Sequence, residues 1–342
     1  MDLSGRPLLD TKPDQALFAG RDAELDRLLF GVERGRNVLL LGARGSGKTT
    51  MLRSLAHQLR QRFPDAPPSF VEGSMAEDVT GFLELARYRL GLAPLALHSV
   101  QREQTLFGAS PGASLDDTLL LPELVAGLRD AVPGNGRRVV LVDELPSEAI
   151  AQTLFGRLRD ELWQLPLTWV VAVRPDAAGV LRQPPADAFF DVVLLLEPLS
   201  KDAQRAILEA RGGVQGKRIA SKIDEGNPRR LLALAREALE GGADPSELVE
   251  ARARRDAEIA RLGRPASMLM AELESLGPSS ASDERLLSRL GWTRSRAVQV
   301  LRELEDEGLV TSSTVKGESG RPRKVYRPAD EVGERGVPAG DA

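Results

Sequence analysis

The stretch VLLLGARGSGKTT, residues 38–50, decides the fold of this chain. Its apolar start, Val38 to Leu41, predicts a strand that is buried on both faces of a sheet. Residues 42–49 then fit the pattern G-x-x-x-x-G-K-[ST] without a mismatch. The next residues predict a helix, whose apolar stripe consists of Leu52, Leu55, Ala56 and Leu59. The pattern therefore indicates a buried strand, a glycine-rich turn and an amphipathic helix in succession.

This turn has the chemistry of a phosphate site. Its glycines let backbone N–H groups turn inward around phosphate oxygens, and the helix N-terminus adds a partial positive charge. Lys48 is the only lysine between Lys12 and Lys201, and we expect it to contact the β- and γ-phosphates of ATP. The alternative is a glycine-rich turn that matches the pattern by chance. The predicted cofactor-binding residues are Gly42, Ala43, Arg44, Gly45, Ser46, Gly47, Lys48, Thr49 and Thr50.

The composition of the chain excludes several kinds of protein and of metal site. The chain has 342 residues, of which 42% are hydrophobic and 28% charged, and this predicts two to three globular domains. The net charge of −4 excludes a chain-wide basic surface. Cysteine is absent and only His57 and His98 occur, so cysteine-based and multi-histidine metal sites are excluded. No signal-peptide plan or membrane-length apolar run is present, and we expect a cytoplasmic protein without membrane contact.

Further short apolar runs predict the rest of a sheet. Strands are expected at 69–71, 139–142, 168–173 and 192–196, with helices between them. This alternation predicts a parallel α/β sheet that is covered on both faces. The domains expected from these patterns are a flexible lead-in (1–15), an α/β nucleotide-binding domain (16–197), a helical lid (198–262), a C-terminal domain (265–330) and a flexible tail (331–342).

Charged residues follow two of the predicted strands. Asp143 and Glu144 stand at the carboxyl end of the strand 139–142, where α/β sheets place ligands. Asp143, together with Thr49, is expected to hold Mg²⁺, and Glu144 to polarise the attacking water. The alternative is an acidic pair that caps the next helix. Arg174 follows the strand 168–173, where it either reaches the γ-phosphate or is an ordinary surface arginine.

The C-terminal region predicts a winged helix-turn-helix, with three helices and then a hairpin around residues 317–320. Ten basic and five acidic residues lie between Arg285 and Arg327, so the local charge is opposite in sign to that of the chain. We expect this region to bind double-stranded DNA; the alternative is a module that binds protein. The candidate DNA contacts are Arg294 and Arg296 at the start of the third helix and Arg321, Arg323 and Lys324 in the wing.

With these motifs in place, residues 16 to about 262 resemble an AAA+ ATPase of the branch that holds the origin-recognition and cell-division-cycle initiator ATPases, with STAND-type signalling ATPases nearby. The resemblance implies a sheet order of 5-1-4-3-2 and a nucleotide held between the sheet and the lid. The matching stretches are 18–25, which places Gly20 and Arg21 beside the adenine, the Walker A residues 42–49, the Walker B residues 139–144, sensor 1 at 172–174, the lid entry at 196–200 and sensor 2 at 226–229.

The resemblance also implies roles for three arginines. Arg229 is in the sensor 2 position, where it senses the γ-phosphate, and Arg174 is in the sensor 1 position, where many AAA+ proteins have Asn or Thr. Members of the family use an arginine finger from a neighbouring subunit, so a homo-oligomer or a partner AAA+ subunit is implied, with Arg182 as the candidate finger. The expected function is a slow, nucleotide-switched ATPase acting on double-stranded DNA. The alternative is a STAND-like signalling ATPase whose winged helix mediates autoinhibition or protein binding.

Overall fold

A computed structural model provides the coordinates. It describes residues 2–92, 117–129, 138–145, 147–175, 177–316 and 322–329. Within it the chain forms two compact units, residues 1–241 and 242–342. In the described part of the chain, no helix has the length and apolar character needed to cross a membrane. The Gly-, Ser- and Pro-rich residues 91–116 favour an insertion or a mobile loop. Most of this stretch and the predicted tail, 331–342, lie outside the described residues.

The N-terminal unit is built on a five-stranded parallel sheet. Its strands are β1 (Val38–Gly42), β2 (Ser69–Glu72), β3 (Arg138–Asp143), β4 (Leu167–Val173) and β5 (Val192–Leu196). They lie in the order β2-β3-β4-β1-β5, and every neighbouring pair is parallel. This confirms the predicted order 5-1-4-3-2. Because β1 lies between β4 and β5 and is buried throughout, the glycine-rich turn emerges at the sheet's carboxyl edge between these two strands.

Helices cover both faces of this sheet. The helices of the N-terminal unit are α1 (Lys12–Gln15), α2 (Asp22–Glu33), α3 (Lys48–Arg62), α4 (Val79–Arg89), α5 (Asp117–Ala126), α6 (Glu148–Gln152), α7 (Arg159–Trp163), α8 (Lys201–Ile219) and α9 (Pro228–Gly241), of which α2 to α7 pack on the sheet. One core contains the apolar stripes of α2 and α3, and the other contains Phe82, Phe155 and Trp169. The sequence pattern predicts one helix over about 149–163, but a π-helical turn, Thr153–Arg157, separates α6 from α7. The two cores confirm a parallel sheet with helices on both faces.

The N-terminal segment, residues 2–15, is packed against the unit rather than loose. Leu3 and Leu8 are only 4% and 1% exposed, and the segment contains helix α1. Its glycine, prolines and charges suggested a flexible lead-in, and the structure differs because polar atoms elsewhere in the unit hold it. Asp2 N donates to the Arg211 carbonyl oxygen at 3.0 Å, and Leu8 N donates to Thr50 Oγ1 at 3.2 Å.

The lid region differs from the prediction in two places. Gly213, with φ 58°, breaks α8. The pattern at 219–223 predicts a separate helix, but these residues form the end of α8 and the start of a turn toward α9. The next helix, α10 (Pro245–Arg261), was expected in the lid but is grouped with the C-terminal unit. Arg255 Nη2 donates to the Leu309 carbonyl oxygen at 3.3 Å, and Arg261 pairs with Glu307 at 2.7 Å. These long-range bonds have no local sequence signal.

The C-terminal unit continues with α11 (Arg264–Leu276), α12 (Glu284–Leu290), α13 (Arg294–Asp306), β6 (Val310–Lys316) and β7 (Pro322–Pro328). The two strands pair antiparallel. The sequence predicts Ser282 or a neighbour as the cap of α12 and Thr293 as the cap of α13. In the structure, Asp283 caps α12 and Thr293 caps α13. The inner face of α13 is buried through Ala297, Val300, Leu301 and Leu304. The element order is the predicted one, and the assignment as a winged helix-turn-helix stays a prediction.

Candidate nucleotide site and candidate DNA interface

The Walker A loop runs from the end of β1 to the first turn of α3. Gly45 and Gly47 have φ of 76° and 98°, in the left-handed region that favours glycine. At Gly42 the limit is space, because a Cβ there would lie 2.4 Å from Ser46 Oγ. That hydroxyl is buried and makes no hydrogen bond within the described residues. An unsatisfied donor inside a glycine loop fits a phosphate oxygen as its partner.

Lys48 lies folded over this loop. Its Nζ donates to the carbonyl oxygens of Gly42 at 2.7 Å and Ala43 at 3.2 Å. The ammonium group is therefore held beside the loop at the N-terminus of α3, where the helix dipole also favours an anion. This arrangement fits the predicted contact between Lys48 and the β- and γ-phosphates.

Thr49 and Asp143 join the two Walker motifs. Thr49 Oγ1 donates to Asp143 Oδ2 at 2.7 Å, so the end of β3 touches the start of α3. Burial raises the pKa of Asp143, with a smaller rise from the Glu144 charge, while the Thr49 hydrogen bond and Lys48 lower it. A bound divalent cation would relieve this buried charge. One carboxylate and one hydroxyl suit Mg²⁺, which takes its other ligands from phosphates and water. No cluster of three potential metal-ligating side chains occurs in the described parts of the chain.

Glu144 has a backbone conformation that sequence reasoning missed. Its φ is 64°, the one positive value for a non-glycine residue in the described chain. The Glu144 N–H donates to the Ala172 carbonyl oxygen on β4 at 3.0 Å. The Glu144 carbonyl oxygen lies so close to Gly73 that a Cβ on that glycine would be 2.0 Å from it. The chain therefore turns sharply directly after Asp143 and leaves the Glu144 side chain exposed. Strain of this kind costs on the order of 1 kcal/mol and is concentrated at functional sites.

The lid reaches the Walker A loop through Asn227. Its Nδ2 donates to the Arg44 carbonyl oxygen at 2.6 Å, while its Oδ1 accepts from Arg229 N at 3.1 Å and caps α9. Arg229 N also donates to the Gly45 carbonyl oxygen at 3.3 Å. Arg229 is thus next to the phosphate loop. Sequence reasoning missed Asn227, although an Asn before Pro228 at a helix start is a capping signal.

The other two predicted arginines follow β4. Arg174 is half-buried at the end of that strand, on the sheet edge that also carries the Walker A loop and Asp143. Arg182 is exposed at the end of a short helix, Val180–Arg182. Their predicted roles at the γ-phosphate and in a neighbouring subunit stay predictions.

A mainly apolar pocket flanks the phosphate loop. It is lined by Leu8, Leu17, Phe18, Ala19, Arg21, Ser46, Gly47, Thr50, Met51, Ile207, Arg211, Pro228 and Leu232. The flat base of a nucleotide fits against these apolar side chains when its phosphates bind the loop. Gly20, with φ 76°, lets the backbone approach α8, because a Cβ there would lie 2.8 Å from the Ala203 carbonyl oxygen. Arg21 is 7% exposed and donates to the Glu197 carbonyl oxygen at 2.6 Å, so it anchors the lid entry.

The predicted DNA contacts lie in the C-terminal unit. Arg294 and Arg296 are exposed in the first turn of α13, and Arg296 Nη1 donates to Gln299 Oε1 at 2.9 Å. Arg321 lies outside the described residues.

The described wing residues are bonded within the unit. Arg323 Nε donates to Ser280 Oγ at 2.6 Å, and Lys324 pairs with Glu305 at 2.8 Å. The wing charges are therefore partly compensated internally, whereas those of the first turn of α13 face outward.

The chain was compared with known protein families, curated proteins and solved structures. A model of the ORC-CDC6-like family matches residues 22–69. No curated protein matches the chain in sequence. Among solved structures, the chain is similar to Aeropyrum pernix Orc1 in complex with DNA, at 21% identity and a TM-score of 0.49, covering 92% of this chain and 90% of that chain.

Two more solved structures are similar at lower identity. Cdc6p from Pyrobaculum aerophilum is 17% identical with a TM-score of 0.47, covering 91% of this chain and 90% of that one. A Walker-type ATPase of Pyrococcus abyssi is 17% identical with a TM-score of 0.49, covering 96% and 97%. The sheet order confirms the AAA+ fold. The family model supports the resemblance to the origin-recognition and cell-division-cycle branch over residues 22–69 alone, which span α2, β1 and the Walker A helix.

Proposed function

We propose that this protein is a nucleotide-switched ATPase that binds MgATP in its N-terminal unit and double-stranded DNA through its C-terminal unit. The observation that carries the proposal is the 2.7 Å hydrogen bond from Thr49 to Asp143, with Lys48 folded over the glycine loop beside it. The two Walker motifs meet in one place, and the buried Ser46 hydroxyl there needs a partner. Cation, hydroxyl and carboxylate are the groups that a magnesium-bound triphosphate requires.

Each residue of the site has a distinct task in this proposal. Backbone N–H groups of the loop orient the phosphates, and Lys48 binds the β- and γ-phosphate oxygens. Thr49 and Asp143 hold Mg²⁺, which when bound neutralises charge that develops on the phosphates. Glu144, exposed next to Asp143, accepts a proton from the attacking water.

The lid supplies the switch. Arg229 opens α9, and its backbone already touches the phosphate loop at Gly45. Its guanidinium senses the γ-phosphate, so ATP and ADP stabilise different lid positions. Hydrolysis is slow in the isolated chain because a second arginine, supplied by another copy or a partner AAA+ subunit, completes the site. Arg182 is exposed and is the candidate for that donor.

DNA binding is proposed from the first turn of α13. Its two exposed arginines, Arg294 and Arg296, project from the residues that a recognition helix places in the major groove. The Aeropyrum pernix Orc1 structure is a complex with DNA, but the present proposal rests on these cations and on the local excess of basic residues.

A protein-binding C-terminal unit is the second candidate, and internal pairing favours it. Lys324 pairs with Glu305, and Arg323 donates to Ser280, so these wing cations are partly occupied without DNA. In that case the protein is a STAND-like signalling switch. A salt titration separates the two, because binding through DNA phosphates weakens steeply as salt rises.

Calorimetry with MgATP tests the nucleotide site. We expect wild type to bind with micromolar affinity, and Lys48→Ala to lose about 100-fold or more, on the scale of one charged phosphate contact of ~2.7 kcal/mol. Lys217→Ala is the matched control, because Lys217 is an exposed lysine that pairs with Glu209 and does not line the pocket. Absence of MgATP binding by wild type, or full binding by Lys48→Ala, contradicts the proposal.

Coupling to DNA is tested separately. Duplex binding by wild type is measured with ATP, with ADP and without nucleotide, and Lys48→Ala is compared. We expect the nucleotide to change the duplex affinity of wild type only. Equal duplex binding under all these conditions contradicts coupling while leaving the nucleotide site intact.

A further inference from the structure

The N-terminal segment, residues 2–15, contributes Leu8 to the apolar pocket beside the phosphate loop and is attached to elements on both sides of that pocket. On one side it is fixed to α3, the helix that starts in the Walker A loop. Leu8 N donates to Thr50 Oγ1 at 3.2 Å, and Asp10 Oδ1 lies 3.0 Å from His57 Nδ1. Asp10 also pairs with Arg60 one turn further along the same helix. The segment therefore moves with the phosphate loop.

On the other side the segment is fixed to the lid. Asp2 N donates to the Arg211 carbonyl oxygen at 3.0 Å, and Arg211 Nη1 donates back to the Ser4 carbonyl oxygen at 3.1 Å. Close to the phosphate loop, a Cβ on Gly5 would lie 3.5 Å from Arg229 Cγ. The same short segment thus touches α8 and the first turn of α9. It bridges the two elements between which the nucleoside pocket lies.

A cluster of charges holds the segment in its bent shape. Arg6 Nη2 contacts Asp2 at 2.9 Å, and the same guanidinium donates to both oxygens of Asp14, at 2.5 and 3.1 Å. The Leu9 N–H donates to Asp14 at 2.7 Å. The Arg6 hydrogen bond and then the Leu9 N–H lower the pKa of Asp14 to about 2. The cluster therefore stays ionised throughout the physiological range.

Leu8 is the segment's contribution to the pocket. It is 1% exposed and lines the same cavity as Ser46 and Gly47 of the phosphate loop and Leu232 of the lid. Leu3 is equally buried, yet it is absent from that lining and faces Gly212 of α8, where a Cβ would lie 3.6 Å from its Cδ2. One leucine of the segment thus faces the pocket, and the other anchors the segment to the lid.

We propose that the N-terminal segment is a strap that retains the nucleotide, with Leu8 contacting the base and Arg6 as a positioning residue that keeps the strap bent across the pocket. The inference rests on the proposed nucleotide site, and it concerns the residues that control dissociation of the nucleotide from that site. Because the strap is bonded to both α3 and the lid, a base leaves only after one of these attachments opens. The strap slows dissociation of the bound nucleotide, since Leu8 lines the pocket that receives the base.

Stopped-flow dissociation of a fluorescent MgADP analogue from the full-length chain tests the strap. We expect Leu8→Ala and Arg6→Ala each to speed dissociation by about tenfold, the equivalent of ~1.4 kcal/mol, with association nearly unchanged. Arg6→Lys restores part of the retention, because one ammonium replaces only part of the two-carboxylate contact. Arg62→Ala is the control for the loss of one arginine charge. Arg62 lies on α3, the helix to which the strap is bonded, but it pairs with Glu33 outside the strap.

Two further measurements separate a strap from a general fold defect. Inorganic tripolyphosphate binds the loop without a base, so its affinity should be unchanged in Leu8→Ala and Arg6→Ala and lost in Lys48→Ala. Leu3→Ala removes the same side chain outside the pocket, and its increase in dissociation rate should be smaller than that of Leu8→Ala.

Each opposite result overturns a stated part of the inference. Unchanged dissociation in Arg6→Ala, or equal loss of tripolyphosphate affinity in both strap variants, overturns the strap. Equal effects of Leu3→Ala and Leu8→Ala overturn the base contact of Leu8. If wild type binds tripolyphosphate but no nucleotide, the strap and base contact fail while the phosphate site stands. If wild type binds neither ligand, the proposed function itself fails.

Discussion

The phosphate loop and the first turn of α13 are both candidate sites for phosphate groups, and they are built in opposite ways. In the loop, backbone conformation creates the site: two glycines have positive φ, and Lys48 is held by two carbonyl oxygens. In α13, Arg294 and Arg296 are exposed side chains on an ordinary capped helix. The loop presents a fixed cradle, whereas the helix presents flexible charges in water.

This difference predicts different responses to substitution. A fixed cradle fails as a unit, because one added atom displaces several N–H groups at once. Exposed charges act nearly independently, and each contributes a modest, salt-dependent amount to the affinity for a polyanion. Substitutions in the two regions therefore test this difference, beginning with the one that is expected to have the largest effect.

Gly45→Ala should have the largest effect. At φ 76° a side chain is strained, and the new Cβ would lie 2.6 Å from Asn227 Oδ1 and 3.0 Å from Arg229 Cβ. We expect MgATP affinity, measured by calorimetry, to fall by about 100-fold, or ~2.7 kcal/mol. Gly179→Ala is the matched control, because its Cβ would have no atom within 4 Å. Near-normal affinity in Gly45→Ala would show that the cradle tolerates rearrangement and would remove the contrast.

Arg294→Ala and Arg296→Ala should have intermediate and additive effects. Each removes one exposed cation, so duplex affinity at low salt should fall by roughly tenfold per substitution, and the slope of log K against log[salt] by about 0.9. Fluorescence anisotropy across a salt series measures both quantities. Arg285→Ala is the control, since Arg285 in the first turn of α12 is already paired with Asp283, the cap of that helix. A double variant that loses no more affinity than either single one would contradict independent charges.

The sequence was sufficient for the parts of the site that depend on local pattern. The glycine spacing predicted the Walker A loop, the buried strands predicted a parallel sheet, and the position of Asp143 predicted that the Walker B strand meets this loop. The strand order was implied by the resemblance to AAA+ ATPases. In α13 the cap Thr293 and the apolar stripe were equally local signals.

The missed features depend on contacts between distant parts of the chain. Asp2 and Arg211 are separated by more than 200 residues, and neither residue type marks an ordered N-terminal segment. Asn227 acts through the Arg44 carbonyl oxygen, a backbone group that no pattern of side chains encodes. The left-handed conformation of Glu144 arises from close packing next to Gly73. Packing across the fold, and not propensity, determines these three.

The smallest effect is expected from Asp143→Asn, on the stability of the protein without nucleotide. The substitution should raise that stability, although it weakens the binding of MgATP. Burial raises the pKa of Asp143 above its unfolded value, so the folded state binds more protons and stability falls as pH rises from about 3.8 through the raised pKa. The ionised carboxylate therefore destabilises the apo protein at neutral pH. Asn keeps the acceptor for Thr49 Oγ1 and removes this charge.

Urea unfolding at neutral pH should thus show Asp143→Asn as more stable without nucleotide, by on the order of 1 kcal/mol. The additional stabilisation that wild type gains from MgATP should be largely absent in the variant, because the metal loses its carboxylate. Asp65→Asn, at an exposed position, should change neither quantity. A destabilised Asp143→Asn apo protein would mean that the Thr49 hydrogen bond outweighs the desolvation of the carboxylate. The fixed site would then hold its charge without a loss of stability, as the exposed arginines of α13 do.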